Sequence, residues 1–241
     1  MPYEPRTYRR LIKDADLVSF EVVVKETDLF IRAAGDLSHQ ALEAIEEYRG
    51  PLEAYIRSQP LFLHSLEPVK VEPGAPSIVR MMAKAGEAAG VGPMAAVAGA
   101  MAELVGGKLL EFTPEVIVEN GGDIFLKSNR IRLVGVYASD SPFTGRLAVE
   151  IDPDKTPLGV CTSSGTVGPS LSLGMADAAM LLAPSAALAD AAATAVGNAV
   201  KSPEDIPAAL ERGKQIEGIT GILIIAGGQM GVWGDIKLVQ L

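Results

Sequence analysis

Short alternating apolar runs fill the second half of the chain, and they constrain its fold more than any other feature. Apolar side chains recur there at every second position, which is the period of a strand with one buried face. Gly121-Gly122, Ser128-Asn129 and Gly145 separate the runs, and such residues are typical of turns. The pattern predicts a series of antiparallel strands with apolar positions at Val116, Val118, Ile124, Leu126, Ile131, Leu133, Leu147, Val149 and Ile151.

Helices and further strands are predicted around this series. Residues 17–34 alternate like a hairpin, residues 175–183 form a buried strand, and residues 222–239 form a C-terminal meander. The helical starts are Gly35, Ser77 as a cap, and Pro93, with an interruption of the first helix at Gly50-Pro51. The glycines before Pro93 leave room for an anion at that helix N-terminus.

These elements predict an α+β fold of mostly antiparallel sheets flanked by helices. We expect one domain over residues 1–241, with an N-terminal lobe over about residues 1–72 and a core over about residues 73–241. The proline-rich stretch 59–76 is the only internal seam in this interpretation.

Charge and composition exclude several classes of function. The net charge is −9, which argues against nucleic acid as a partner because phosphate neutralisation needs clustered Lys and Arg. Cys161 is the single cysteine, so no disulfide framework is predicted. The apolar stretches fall short of the about 20 clean residues that span a membrane. We therefore expect a cytoplasmic protein without a membrane partner.

An alanine-rich helix over residues 185–200 carries a polar stripe. Ser185 is a suitable N-cap, and Asp190 and Thr194 are four residues apart, so they share a helix face. One interpretation is a solvated face or hydroxyl bonding to the preceding turn. The other is a site where a carboxylate and a hydroxyl hold a hard cation through oxygen.

Two further stretches could carry chemistry. The run from Glu119 to Asp123 contains an Asn-Gly step, which is either a hairpin turn or a glycine turn with carboxylates at its rim. The run from Cys161 to Thr166 contains four hydroxyls and a glycine, which make either an ordinary polar loop or a phosphate cradle. The sequence alone leaves both alternatives open.

Taken in order, these three stretches resemble motifs of the ApbE flavin transferase superfamily. Asn120, Gly121, Gly122 and Asp123 resemble its N-x-G-G-D turn, and Thr162, Ser163, Ser164 and Gly165 are similar to its T-S-G loop. Residues 183–195 resemble its A-P-S-A-x-x-A-D-A-x-x-T-A signature, which is the most specific of the three. The resemblance covers about residues 90–241.

The resemblance implies a cofactor site. Members of this superfamily bind FAD with Mg²⁺ and either move its FMN part onto a protein hydroxyl or split FAD. It makes Asp190 and Thr194 the Mg²⁺ ligands, and it places the residues 120–123 and 162–165 around FAD or another nucleotide. The expected partner is a phosphate-bearing small molecule, and a homodimer is kept as an alternative.

One segment departs from the superfamily pattern. Residues 168–177 stand where the transferases carry H-x-x-D-P-x-T-G, and they contain no histidine. Asp177 is the carboxylate that could replace part of the function of this segment. Together with Asp123 of the glycine turn, it is a catalytic candidate.

Three hypotheses follow. The first is a divergent Mg²⁺-dependent flavin transferase or phosphoester-cleaving enzyme, and the second is a non-catalytic protein that binds a ligand or partner. The third is an unrelated enzyme that uses Glu119, Asp123 and Asp177 as acid and base.

Overall fold

The computed structural model describes residues 16–165 and 173–241. Its strands are β1 (Val18–Val24), β2 (Thr27–Ala33), β3 (Val116–Asn120), β4 (Asp123–Lys127), β5 (Arg132–Gly135), β6 (Leu147–Ile151), β7 (Leu158–Ser163), β8 (Ala178–Ala183), β9 (Gly221–Ala226), β10 (Gln229–Gly234) and β11 (Lys237–Gln240). Its α-helices are α1 (Ser38–Ser58), α2 (Leu61–His64), α3 (Ser77–Ala89), α4 (Val97–Leu109), α5 (Ala186–Ala199) and α6 (Ile206–Lys214).

The strands form two antiparallel sheets. The larger has eight strands in the order β1-β2-β3-β4-β7-β8-β9-β10, and the smaller has the order β11-β6-β5. Every described strand pair is antiparallel. The predicted α+β class, with mostly antiparallel sheet and flanking helices, is confirmed.

Each face of the large sheet covers its own core. Side chains of β7 and β8 alternate between the faces: Cys161 and Leu181 pack among the helices, whereas Val160 and Leu182 pack against the small sheet. This division follows from the strand period of two, which sends successive side chains to opposite faces. The large sheet is therefore the middle layer between α1, α3, α4, α5 and α6 on one side and β5, β6 and β11 on the other.

Two details of the helical half differ from the sequence prediction. Helix α1 continues through Pro51 instead of stopping at Gly50-Pro51, because Ala44, Ile45 and Leu52 form one buried stripe on both sides of the exposed proline. Ser77 is the first residue of α3, and the preceding Pro76 is its cap without a side-chain hydrogen bond. In both helices, packing of the buried apolar stripe outweighs the local signal, which is the proline break in α1 and the serine cap in α3.

The C-terminal half also contains two differences. Strand β8 begins at Ala178 rather than at residue 175. The C-terminal run is not a simple meander, because β11 pairs with β6 in the small sheet. Gly234, with φ of 76°, lies where the chain leaves the large sheet.

Helix α5 lies directly on the sheet and on α4. A Cβ on Gly159 would stand 2.3 Å from the Ala186 Cα, and a Cβ on Gly99 would stand 2.2 Å from the Ala186 carbonyl oxygen. Both glycines are therefore needed for this close approach. Among the described residues, no single helix is long and apolar enough to cross a membrane, and one pair bent by 105°, α3 with residues 93–109, meets that test jointly.

Candidate active site

Asp123 and Asp190 meet between the large sheet and the helices. Asp123 opens β4 opposite Cys161 of β7, and Asp190 lies in α5, which packs on β7. Asp123 is 8% exposed and Asp190 is 9% exposed. The fold thus brings together two carboxylates that the sequence analysis placed in separate motifs.

The Asp190 carboxylate caps helix α4. Its Oδ2 accepts a hydrogen bond of 2.9 Å from the Gly99 N–H, and the Ala98 N–H also stabilises its charge. Both amides belong to the first turn of α4, whose N–H groups have no partner within the helix. The helix predicted to start at Pro93 begins as a 3-10 turn over Pro93–Ala96, and the anion lies one turn later, at the start of α4, where it is a side chain of the protein itself.

Helix α5 receives the same kind of cap from α4. The Ser185 side chain accepts a hydrogen bond from the Leu188 N–H, which confirms the predicted cap. Glu103 of α4 then accepts hydrogen bonds from the Ser185 hydroxyl at 2.8 Å and from the Ala187 N–H at 3.1 Å. The two helices cap each other through Asp190 and Glu103, so the position of one fixes the position of the other.

Asp123 is held mainly from β7. Its Oδ1 accepts a hydrogen bond of 3.2 Å from the Thr162 N–H, and the Cys161 thiol lies beside it. The Cys161 Sγ lies 3.3 Å from the Ala186 carbonyl oxygen, to which it donates. Burial raises the pKa of this thiol well above its usual value, and the charges of Asp123 and Asp190 act in the same direction.

The electrostatics of the two carboxylates are unusual. Burial raises the pKa of Asp123 well above its ordinary value, and the charge of Asp190 raises it further. Burial raises the pKa of Asp190 from 3.8 to about 7, against the opposing effect of the Gly99 and Ala98 amides. Neither carboxylate forms an ion pair with a lysine or arginine in the described parts of the chain. The pair therefore lacks the positive charge that would let both groups ionise easily.

The glycine turn before Asp123 is a hairpin turn. Gly121 and Gly122 connect β3 and β4 with φ of 67° and 103°, values that side chains other than glycine rarely adopt. The Gly122 N–H donates to Glu119 Oε1 at 2.7 Å, and the Asn120 Nδ2 donates to the Ala98 carbonyl at 3.2 Å. The turn is thus tied to the start of α4, beside Asp190.

The hydroxyl run predicted as a loop begins inside β7, which ends at Ser163, so its side chains are divided between the two faces of the sheet. Ser163 faces the helices, where its Oγ lies 3.4 Å from a Cβ placed on Gly197. Thr162 alternates to the opposite face and reaches Asp123 through its backbone N–H. Ser164 is half-buried and Gly165 is exposed, while Thr166 lies outside the described residues.

Thr194 lies on the same helix as Asp190, whereas Asp177 is bound to a different part of the sheet. Thr194 lies one helical turn after Asp190 in α5 and is half-buried. Asp177 lies before β8 at the same end of the sheet, and its Oδ2 accepts a hydrogen bond of 2.6 Å from the Gly227 N–H in the β9–β10 turn. Residues 168–172 of the segment that departs from the superfamily pattern lie outside the described residues.

The protein supplies a limited set of metal ligands. Within residues 16–165 and 173–241 there is no group of three or more His, Cys, Asp or Glu side chains that could hold a metal ion. Two carboxylates and a hydroxyl are suitable oxygen donors for Mg²⁺, which usually keeps waters and shares phosphate ligands. The donor set therefore fits a cation held jointly with a phosphate better than a cation held by protein alone.

Two residues that hold this site carry no sequence motif. Gly99 binds Asp190 and Glu103 binds the start of α5, but both lie in a plain run of helix-forming residues. A separate cavity of about 400 Å³ lies at the opposite end of the sheet, and its walls include Lys155, Asp235 and Lys237. It does not include Asp123 or Asp190.

Comparisons with known proteins agree with this architecture. The model of the family described as AbpE bacteria matches residues 9–232. The UPF0280 protein of Methanosarcina acetivorans is 44% identical over 217 residues, covering 88% of this chain and 85% of the relative. The UPF0280 protein of Methanocaldococcus jannaschii is 43% identical over 222 residues, covering 89% of this chain and 90% of the relative.

Two solved structures share the fold. The flavinyl transferase ApbE of Pseudomonas stutzeri, in its apo form, has a TM-score of 0.58 at 13% identity, covering 92% of this chain and 95% of its own. The ApbE protein of Thermotoga maritima has a TM-score of 0.60 at 13% identity, covering 89% of this chain and 96% of its own. The likeness extends well before residue 90, where the sequence motifs begin.

Proposed function

The chain belongs to the family described as AbpE bacteria, within the ApbE-like superfamily, and from this premise we propose that it binds a flavin dinucleotide together with Mg²⁺ at Asp123 and Asp190. The bound nucleotide is cleaved at its diphosphate, with water or a protein hydroxyl as the acceptor. Thr194 is the additional oxygen ligand, and the residues 120–122 and 162–165 form the surrounding walls.

One observation carries this proposal. Asp123 and Asp190 are two buried carboxylates whose partners are backbone amides and a thiol, with no ion pair among the described residues. Burying two like charges without a counterion is costly, so the pair favours a bound cation. A divalent cation held by these carboxylates would supply the positive charge that the pair lacks.

The remaining residues have definite roles in this proposal. Gly99 and Thr162 hold one oxygen of each carboxylate through backbone N–H groups, so the other oxygens are oriented before a ligand binds. Bound Mg²⁺ would neutralise charge on the phosphates. In the reaction, the acceptor oxygen bonds to the FMN phosphorus, the phosphoanhydride bond breaks, and AMP leaves with the electron pair. Asp177 is the group proposed to accept the acceptor's proton.

A second candidate is binding without turnover. It is favoured by the low exposure of the two carboxylates, 8% and 9%, which leaves little room for an acceptor oxygen to approach them. Asp177 also favours binding without turnover, because its Oδ2 already accepts a hydrogen bond from the Gly227 N–H in a turn.

Calorimetric titration with FAD, with and without Mg²⁺, tests the proposal. We expect Mg²⁺-dependent binding that Asp190→Asn weakens at least about tenfold, since the variant loses a charged ligand but keeps an acceptor for the Gly99 amide. Asp152→Asn, at the opposite end of the sheet, is the matched control and should bind like the unmodified protein.

Chromatography of the same mixtures separates the two candidates. Release of AMP and FMN supports cleavage, and its loss in Asp177→Asn with unchanged binding would give Asp177 a catalytic role. Tight binding without product supports the second candidate. Binding that is equally strong without Mg²⁺, or unchanged in Asp190→Asn, would overturn the site.

A further inference from the structure

Among the described residues, strand β10 ends the large sheet and pairs on one side only. Its partner is β9, in a register that sets Met230 opposite Ile225 and Val232 opposite Leu223. The hairpin closes through Gly227 and Gly228. In a hairpin with a two-residue turn, the residues that flank the turn exchange backbone bonds, and the pattern then alternates along the strand.

This alternation directs the backbone of Met230 and Val232 away from β9. Their N–H and C=O groups point along the sheet towards the open edge, and no backbone group in the described parts of the chain bonds to them. The side chains are 38% and 41% exposed. The edge therefore offers a row of backbone donors and acceptors flanked by two apolar side chains.

The strand lacks the features that normally prevent edges from pairing. Residues 229–234 contain no charged side chain and no proline, and natural edge strands usually carry one or the other. Strand β1 at the opposite edge of the sheet carries Glu21. In a chain with a net charge of −9, a second copy is repelled over most of the surface, but it can approach an uncharged strand.

We propose that β10 pairs with β10 of a second copy of this chain, antiparallel and about a two-fold axis at Gly231. Met230 then lies opposite the partner's Val232, and Val232 lies opposite the partner's Met230. These are the residues whose backbone groups point outward, so each pair exchanges both backbone hydrogen bonds. The result is one continuous sheet through both copies.

Self-complementarity is the reason for choosing a second copy as the occupant. In a two-fold contact, any residue that meets another meets it twice, and here the reciprocal pair is apolar on both sides. Gly231 at the axis carries no side chain, and helix α6 lies over it, because a Cβ there would stand 2.3 Å from Ile206 Cγ2. This surface is separate from Asp123 and Asp190, so the inference does not depend on the proposed function.

Sedimentation analysis across a concentration series tests the pairing. We expect a reversible dimer whose dissociation constant rises at least about tenfold in Val232→Lys, because the two-fold axis brings the new positive charges of the two copies close together. Val23→Lys is the matched control: Val23 is a 58% exposed valine of the other edge strand, β1, and this variant should remain dimeric. Circular dichroism of both variants confirms that each is folded.

Amide hydrogen exchange identifies the surface directly. We expect the Met230 and Val232 amides to be protected at concentrations where the dimer forms and to exchange freely after dilution or in Val232→Lys. A monomer at all attainable concentrations would overturn the proposal, and so would a dimer in which these amides are unprotected. A dimer that Val23→Lys disrupts and Val232→Lys does not would have the same consequence.

Discussion

Two carboxylate clusters in this protein have opposite electrostatics. Asp123 and Asp190 have backbone amides as partners, and their pKa values are raised. Asp16 and Glu115 share the guanidinium of Arg132, which is 4% exposed and lies 2.7 Å and 3.1 Å from their oxygens. The pKa values of both these carboxyls are lowered.

The cause of the contrast is the counterion. For Asp16 the hydrogen bond from Arg132 is the largest effect. For Glu115, burial alone would raise the pKa, but hydrogen bonds from the Asn129 N–H, Ser128 and Arg132 outweigh it. A cluster with an internal cation is complete and stabilises the fold. A cluster without one favours the binding of a positive charge, which is the basis of the cation site proposed above.

The largest expected difference between the clusters is in the pH dependence of stability. The pKa of Asp190 is about 7 in the fold, against an ordinary 3.8, so between these values the unfolded chain releases a proton that the fold retains. This contribution is full below pH about 4 and is lost as the pH rises through about 7, a change on the order of 4 kcal/mol.

Urea denaturation of metal-free protein at several pH values measures this change. The difference in unfolding free energy between the unmodified protein and Asp190→Asn should fall with rising pH over that window. The Arg132 cluster should show the opposite trend, because its lowered pKa values withdraw stability as the pH falls below about 4. A difference that stays flat across the window would contradict the raised pKa of Asp190.

Removing the internal cation is expected to have the next largest effect. Arg132→Met removes a buried guanidinium and leaves the half-buried Glu115 without its counterion, which should cost about 3 kcal/mol, measured by denaturant unfolding at neutral pH. Lys237→Met is the control, because the Lys237 side chain is 70% exposed and such pairs contribute under about 1 kcal/mol. Equal losses in the two variants would remove the distinction between a buried and an exposed pair.

A smaller effect is expected from the helix crossing that positions Asp190. Gly99→Ala should destabilise the protein by about 2 kcal/mol, because its Cβ meets the Ala186 carbonyl and the crossing must open. Gly107→Ala on the same helix has open space and should stabilise by about 0.5–1 kcal/mol. Thermal unfolding of the two variants compares them, and a neutral Gly99→Ala would mean that the helices can separate freely.

Local signals predicted most of the elements and part of the site. The buried strand that ends at residue 183, the glycine turn at residues 121–122 and the Ser185 cap each depend on neighbouring residues, so the sequence displays them directly. Asp190 stood out because a polar residue among alanines is unusual. Glu103 and Arg132 gave no such signal, since a charged residue on a helix or strand end is ordinary until its distant partners are known.

The sequence by itself determined most of the strands and helices, because their apolar patterns repeat within a few residues. It misplaced the buried face of β5, where Arg132 and Val134 are buried and the predicted Ile131 is 59% exposed. Only the tertiary structure decided which elements meet. Strand β4 pairs with β7 while β5 and β6 leave for the second sheet, and α5 then crosses α4 at Gly99. These contacts depend on the packing of distant segments, and they alone place Asp123 beside Asp190 without a counterion.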